Sequence, residues 1–226
     1  MAKFASVPTI FYLYGLDRDP YDNKLKYYMF GPKTEWMIGQ AIFEYGLKNE
    51  TKLLKNGQIE ILLNDILQHL LKKNDIPNRQ DWHVHVSDDL VVNAYAMPGG
   101  NIVFNIGICQ LFDNVDQIAM VMGHEISHVL LRHSLRQASK KLINLFAMLF
   151  GFISLEFGFL YAYGIEKMES VYKLKQSRVH ESRADENGLK LLQRAGYSIG
   201  EGPNMILKFQ ELELERDKDF QKLNAE

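Results

Sequence analysis

The chain has 226 residues, a formal charge of −2 and 46% hydrophobic residues, enough for one good-sized domain or a domain with a membrane attachment. That charge supplies no field to draw in nucleic acid, and a single cysteine, Cys109, excludes an internal disulfide framework. In its apolar surroundings Cys109 reads as a small buried hydrophobe rather than a nucleophile. The opening Met1-Ala2-Lys3-Phe4 has neither a long apolar run nor an Arg- and Ser-rich amphipathic character, so no signal or transit peptide is expected.

Residues 1–33 are expected to be an irregular segment, with a turn where Asp17-Arg18-Asp19-Pro20 runs into Tyr21-Asp22-Asn23. From Thr34 to about Leu47 the pattern becomes helical, with Ile38, Ala41, Ile42 and Tyr45 as its apolar stripe. A second helix is expected from about Gly57 to Lys73, where Ile59, Leu62, Leu63, Ile66, Leu67, Leu70 and Leu71 recur at threes and fours. Both read as scaffold.

Three strand signals follow. Trp82-His83-Val84-His85-Val86 alternates cleanly, Val91 to Ala96 does so more loosely, and Asn101 to Ile106 comes after Pro98-Gly99-Gly100, which argues for a hairpin. His83 and His85 share a strand face, but no further ligand lies nearby in sequence, so a half-exposed polar face is the expectation. A sheet edge can take up an extended peptide as one more strand. Asn101, Ile102, Val103 and Phe104 are the residues expected to do so here.

Asn114-Val115-Asp116-Gln117 resembles a capping box, and a helix is expected from there to about Leu135. It carries His124-Glu125-Ile126-Ser127-His128. Residues four apart lie on one helix face a turn apart, so both imidazoles can reach one ion. Zinc takes nitrogen ligands at about 2 Å and, in hydrolytic sites, keeps a position for water. Glu125, beside the ion but not on it, can take a proton from that water. Ile118, Met122, Ile126, Val129 and Leu130 place the helix in the interior, where two imidazoles and a carboxylate are costly unless a metal satisfies them.

The metzincin pattern is excluded, because Leu131 and Ser134 stand where its glycine and third histidine would be. His133 is one residue early and cannot join the same ion without breaking the helix. A third ligand must come from elsewhere. Glu181 and Asp185 are four apart in a segment that reads as a helix up to Gly196, a plausible C-cap. Glu181 could ligate zinc while Asp185 accepts a hydrogen bond from a ligand imidazole, and Ala184 allows close helix contact.

Between these helices, residues 142–164 are nearly all apolar, with Asn144 and Glu156 as the serious interruptions. Lys140 and Lys141 before the stretch, and Tyr161, Tyr163 and Lys167 near its end, are placed as interface anchors would be. Contact with membrane lipid is expected, as a span or as a hairpin bending at Glu156, the alternative being a helical pair buried in a soluble core. The tail from Pro203, with Met205, Ile206, Phe209 and Leu212 on one face, reads as structural.

Three blocks together resemble a known group: Val92-Asn93-Ala94-Tyr95-Ala96-Met97-Pro98-Gly99-Gly100, then Gly123-His124-Glu125-Ile126-Ser127-His128, then Glu181-Ser182-Arg183-Ala184-Asp185-Glu186-Asn187-Gly188. They resemble the gluzincin-type membrane metalloendopeptidases, which include the type I CAAX prenyl proteases. Asp81-Trp82 and the Val-Asn-Ala run look most like a mitochondrial inner-membrane branch whose activity overlaps that of the m-AAA protease. The resemblance covers about residues 34 to 210. It implies an α+β, mostly helical, zincin-like domain over 34–226 with a small sheet packed by the metal-binding helix and a membrane-associated insertion at about 142–164. It implies one zinc ion held by His124, His128 and Glu181, with Glu125 as general base and Asp185 as support. It also implies protein substrates tethered to a membrane, mitochondrial inner-membrane quality control, and another copy of the chain as a partner. His180, Arg178 and Tyr95 are candidates for stabilising the oxyanion. Two alternatives are a scaffold or holdase of the same fold that does not cleave, which has no use for an intact Glu125, and a CAAX-type processing protease, which needs several spanning helices.

Overall fold

The computed structural model describes residues 16–18, 25–27, 31–47, 53–54, 57–76, 82–133 and 178–202, together with 204, 205, 207, 208 and 211. The apolar stretch at 142–164 lies outside the described residues. Among those described, no helix is long and apolar enough to cross a membrane.

Strands β1 (Leu16–Arg18) and β2 (Leu25–Tyr27) pair antiparallel, so the first segment holds a short hairpin where irregular chain was expected. Of the expected Asp- and Pro-rich turn, Asp17 and Arg18 lie in β1, and residues 19–23 lie outside the described residues. Helix α1 spans Pro32–Ala41, with proline in its first turn where a missing N–H costs nothing, and runs into a π-helical turn at Ile42–Leu47.

Its inward face is not the predicted one. Glu35, Gly39 and Phe43 are buried, whereas Ala41, Ile42 and Tyr45 are exposed and Ile38 is half-buried. The reason is contact rather than hydrophobicity. A Cβ on Gly39 would sit 1.5 Å from the Pro98 carbonyl oxygen, so only glycine lets α1 lie this close to the Pro98–Gly99 turn. Glu35 reaches Arg132, its Oε2 accepting from Nε at 2.6 Å with both side chains almost wholly buried. Burial pushes the Glu35 carboxyl above its usual range, against the pull of the Arg132 guanidinium.

Helix α2 (Gln58–Lys73) follows its hydrophobic period closely. Leu63, Ile66, Leu67, Leu70 and Leu71 are buried, each worth about 1.5–3 kcal/mol relative to exposure, whereas Ile59 and Leu62, expected on the same face, are exposed. Lys72 and Lys73 complement the helix's negative end.

Four strands form the main sheet: β3 (Leu53–Leu54), β4 (His83–Ser87), β5 (Ala94–Ala96) and β6 (Asn101–Asn105), in the order β3-β4-β6-β5. β4 and β6 run parallel, and the other two pairings are antiparallel. The expected hairpin is β5–β6, turned by Gly99 and Gly100 at φ of 90° and 94°, values that favour glycine. Alternation gives the sheet two unlike faces. Val84, Val86, Ala94, Ala96, Ile102 and Phe104 join a core with α2, α4 (Val115–Leu130) and α5 (residues 178–195). On the other face Phe43, Met97, Val103 and Tyr95 form a smaller cluster, with the Phe43 ring stacked on His85 at 4.3 Å. Between β6 and α4 runs the short helix α3 (Ile106–Cys109). Cys109 packs against the main core, where burial raises its thiol to about 11, so it is not a thiolate. This is the α+β arrangement the sequence implied, with helices dominating and the small sheet packed by the helix that bears the paired histidines.

Candidate metal centre

Helix α4 starts where the sequence places it. The Asn114 side chain accepts from Gln117 N–H at 3.0 Å, and Gln117 Oε1 accepts from the Asp113 N–H at 3.0 Å. The reciprocal bond thus reaches one residue further back than a standard capping box. Ile118, Ala119, Met122, Ile126 and Val129 bury the helix against the sheet and α2. The helix ends at Leu130, several residues before the expected Leu135.

The histidines, one turn apart, bring their Nε2 atoms to 2.9 Å from each other. Helix α5 supplies the third group: Glu181 Oε2 lies 3.3 Å from His124 Nε2 and 3.5 Å from His128 Nε2. Among the described residues His124, His128 and Glu181 are a set able to hold a metal ion. Ligand atoms at about 2 Å in a tetrahedral shell lie about 3.3 Å apart, so the three separations fit one zinc-sized ion. Asp185 Oδ1 sits 2.8 Å from His124 Nδ1, which puts the ring proton on Nδ1 and leaves the Nε2 lone pair facing the cluster.

Close helix contact makes this convergence geometrically accessible. Gly123 of α4 meets Gly188 of α5, where a Cβ on Gly188 would lie 3.1 Å from the His124 backbone nitrogen. Ala184 is fully buried at the same seam, and Asn187 Nδ2 donates to Ser127 Oγ at 3.0 Å. Gly196, at φ 83°, follows the end of α5 as expected of a C-cap residue. The Asn187–Ser127 bond and the glycine pair carry no distinguishing signal in one sequence.

The electrostatics are mutual. For His124, burial favours the neutral ring, but Glu181, Glu125 and Asp185 together outweigh it and raise its pKa. The His124 and His128 rings hold the Glu181 carboxyl well below the usual carboxylate range. Burial pushes Glu125 up, while the two histidines and the Ala96 N–H pull it back.

That contact with Ala96 bears on where a peptide could lie. The expectation that Asn101, Ile102, Val103 and Phe104 form a sheet edge is overturned. β6 is paired on both sides, with β4 and β5, and these four residues are almost completely buried. Strand β5 is the edge next to α4. Asn93 O and Met97 N bond inward to β6 at 3.1 and 2.8 Å, so by alternation Ala94 and Ala96 turn their peptide groups outward. Sequence periodicity identified the strands; their order is a tertiary property.

Of the oxyanion candidates, Tyr95 packs with Val103 and Phe43 on the sheet face away from α4. His180 is buried with its ring flat against His133, centroids 4.3 Å apart and planes 3° apart, while Arg178, the first described residue of α5, is exposed. His133 itself lies next to the metal set without joining it, its Nδ1 3.1 Å from His128 Nδ1. His85 bonds Asn101 Oδ1 at 3.1 Å and is held neutral chiefly by burial.

Two histidines a turn apart with a glutamate between them, closed by a carboxylate from a later helix, are the donor arrangement of the zinc metallopeptidases. Comparison of the sequence narrows that class. The chain belongs to peptidase family M48, whose family model matches residues 58–206. It is 24% identical over 157 residues to the mitochondrial metalloendopeptidase OMA1 of Homo sapiens, covering 66% of this chain and 30% of that one. Similarity to the Saccharomyces cerevisiae mitochondrial metalloendopeptidase OMA1 is 25% over 199 residues, 83% of this chain and 57% of that one. With the beta-barrel assembly-enhancing protease of Escherichia coli O157:H7 it shares 29% over 135 residues, 56% of this chain and 28% of that protein. The chain thus matches less than two thirds of the length of each of these relatives.

Proposed function

We propose that this chain is a zinc-dependent metalloendopeptidase domain, spanning about 34–226, that hydrolyses peptide bonds of membrane-associated proteins. The observation that carries the reading is the convergence of His124 Nε2, His128 Nε2 and Glu181 Oε2 beside a buried Glu125. One zinc ion, held by those three side chains, would supply Lewis acidity toward a peptide carbonyl and acidify a water.

The chain's own residues do the rest. Glu125 is a base screened from bulk water, with a carboxyl raised by burial toward the range where it can both take and return a proton. The Ala96 N–H orients that carboxylate. Asp185 fixes the His124 ring. The outward N–H and C=O of Ala94 and the C=O of Ala96 offer an edge on which an extended substrate adds as a strand, carrying its scissile bond past Glu125. Replacing Ala94 by proline is expected to raise KM several-fold through the lost backbone donor.

Mitochondrial location is supported by the names of the OMA1 relatives, and a role in inner-membrane quality control by the resemblance of the three sequence blocks. Membrane contact through 142–164 and self-association belong to the same proposal. Zinc content and peptide cleavage, measured together for wild type and Glu125→Gln, test the central claim. Retained zinc with activity reduced by at least about 10²-fold is expected, the scale of a lost general base. Equal cleavage by both proteins would reject the mechanism.

A further inference from the structure

His128 needs what His124 obtains from Asp185: a partner on Nδ1 that fixes both tautomer and ring plane. No carboxylate fills that place among the hydrogen bonds that His128 makes in the described residues. The ring nitrogen found there is Nδ1 of His133, at 3.1 Å.

A continuing helix would not bring it there. Five residues on, at about 100° per residue, His133 would project roughly 140° round the axis from His128. Instead the helix stops at Leu130. Leu131 caps it, Arg132 N–H bonds back to Val129 O at 3.0 Å, and Arg132 takes a left-handed φ of 53°. A long side chain adopts that conformation only where its surroundings demand it. The surroundings here are Glu35 on α1, which accepts from Arg132 Nε at 2.6 Å in a nearly dry contact. The turn so held folds His133 back, edge-on to His128 with ring centroids 5.0 Å apart, and the parallel His180 ring fixes its plane from behind. Residue 35 lies outside the 58–206 span matched by the family.

We propose that His133 is a positioning residue for the metal centre. Its Nδ1 accepts the hydrogen bond from His128 Nδ1–H and thereby keeps the His128 Nε2 lone pair on the cluster, an imidazole counterpart of the Asp185 carboxylate on His124. This rests on the zinc reading of the site. The bond requires His133 to carry its own proton on Nε2.

Zinc affinity of the 226-residue chain, measured by competition with a chromophoric chelator, tests this with His133→Asn and His133→Gln. The amide oxygen of Asn falls near the place of Nδ1 and that of Gln near the place of Nε2. Asn should keep affinity within a few-fold of wild type, and Gln should lose on the order of 10- to 100-fold, the usual effect of removing a ligand's outer partner. Cobalt absorption spectra should likewise match wild type for Asn and differ for Gln. Thermal unfolding of the metal-free proteins separates this from filling of space. Equal affinities for the two variants, or losses that simply track metal-free stability, overturn the positioning role. Wild type and His124→Ala serve as controls. Zinc binding by the first and not the second, with Asn and Gln alike, removes only His133's role; no binding by wild type removes the site reading and this inference together.

Discussion

The two faces of the main sheet are built from the same strands by opposite means. Toward α2, α4 and α5 the residues are aliphatic or aromatic: Val84, Val86, Ile102 and Phe104 sit in a continuous dry core. Toward α1 they are His85, Ser87, Asn101 and Asn105, joined by specific bonds such as Ser87 Oγ to Asn105 Oδ1 at 2.7 Å, with only a small cluster around Phe43 above them. The first face is held by area and is indifferent to direction. The second is held by partners, and among the described residues its covering helix is fastened by a buried ion pair and a close glycine contact. Burial area therefore sets how stable the domain is, whereas partner geometry sets how α1 and the end of α4 are positioned.

Mutations can break this contrast. Phe104→Ala, which empties the centre of the dry face, should cost about 3–5 kcal/mol in urea unfolding. Ile102→Leu on the same face should cost less than about 1.5 kcal/mol, since volume is kept. Across the sheet the conservative change is the severe one: Glu35→Gln preserves shape but removes the buried negative charge that accepts from Arg132 Nε, at about 3 kcal/mol. A near-neutral Glu35→Gln would show that α1 is not held by that pair. Asn105→Ala strands the Ser87 hydroxyl and the Val91 carbonyl, which its amide bonds at 3.1 Å, for about 1–3 kcal/mol.

The smallest effect is a pH dependence. Burial lowers the folded pKa of His85 from its ordinary value of 6.5, so folding favours the neutral ring. Its contribution is present above about pH 6.5 and is lost as pH falls through the lowered folded value. Thermal melts across pH 5 to 8 should therefore slope less for His85→Gln than for wild type, by a degree or two at about pH 5.5. Parallel curves would mean that the ring under Phe43 is not held neutral.

The two helices flanking the sheet also differ in how well a period-based reading finds their inner face. For α2 the leucine and isoleucine repeat names Leu63, Ile66, Leu67, Leu70 and Leu71, which are buried, and misses only near the helix start, where Ile59 and Leu62 are exposed. For α1 the same rule chooses Ala41, Ile42 and Tyr45, which are exposed, because the face that docks consists of Glu35, Gly39 and Phe43. A charged residue and a glycine carry no hydrophobic signal, and their reasons lie far along the chain, at Arg132 and Pro98. The position of β6 in the sheet is hidden for a related cause: alternation identifies a strand, but Asn101 to Asn105 is central rather than peripheral only because β4 pairs with it in parallel.

The sequence alone determined whatever is local to one turn of backbone: the start of α4 at Asn114, the shared face of His124 and His128, the shared face of Glu181 and Asp185, and the Pro-Gly-Gly reversal. These follow from 3.6 residues per turn and from the few conformations open to glycine and proline. Tertiary structure decided the rest: the meeting of α4 with α5 at Gly123 and Gly188, the edge position of β5 beside Glu125, and the early end of α4 that folds His133 onto His128. Each depends on a contact between distant segments, and the free energy of such a contact belongs to both partners at once, so neither stretch read by itself contains it.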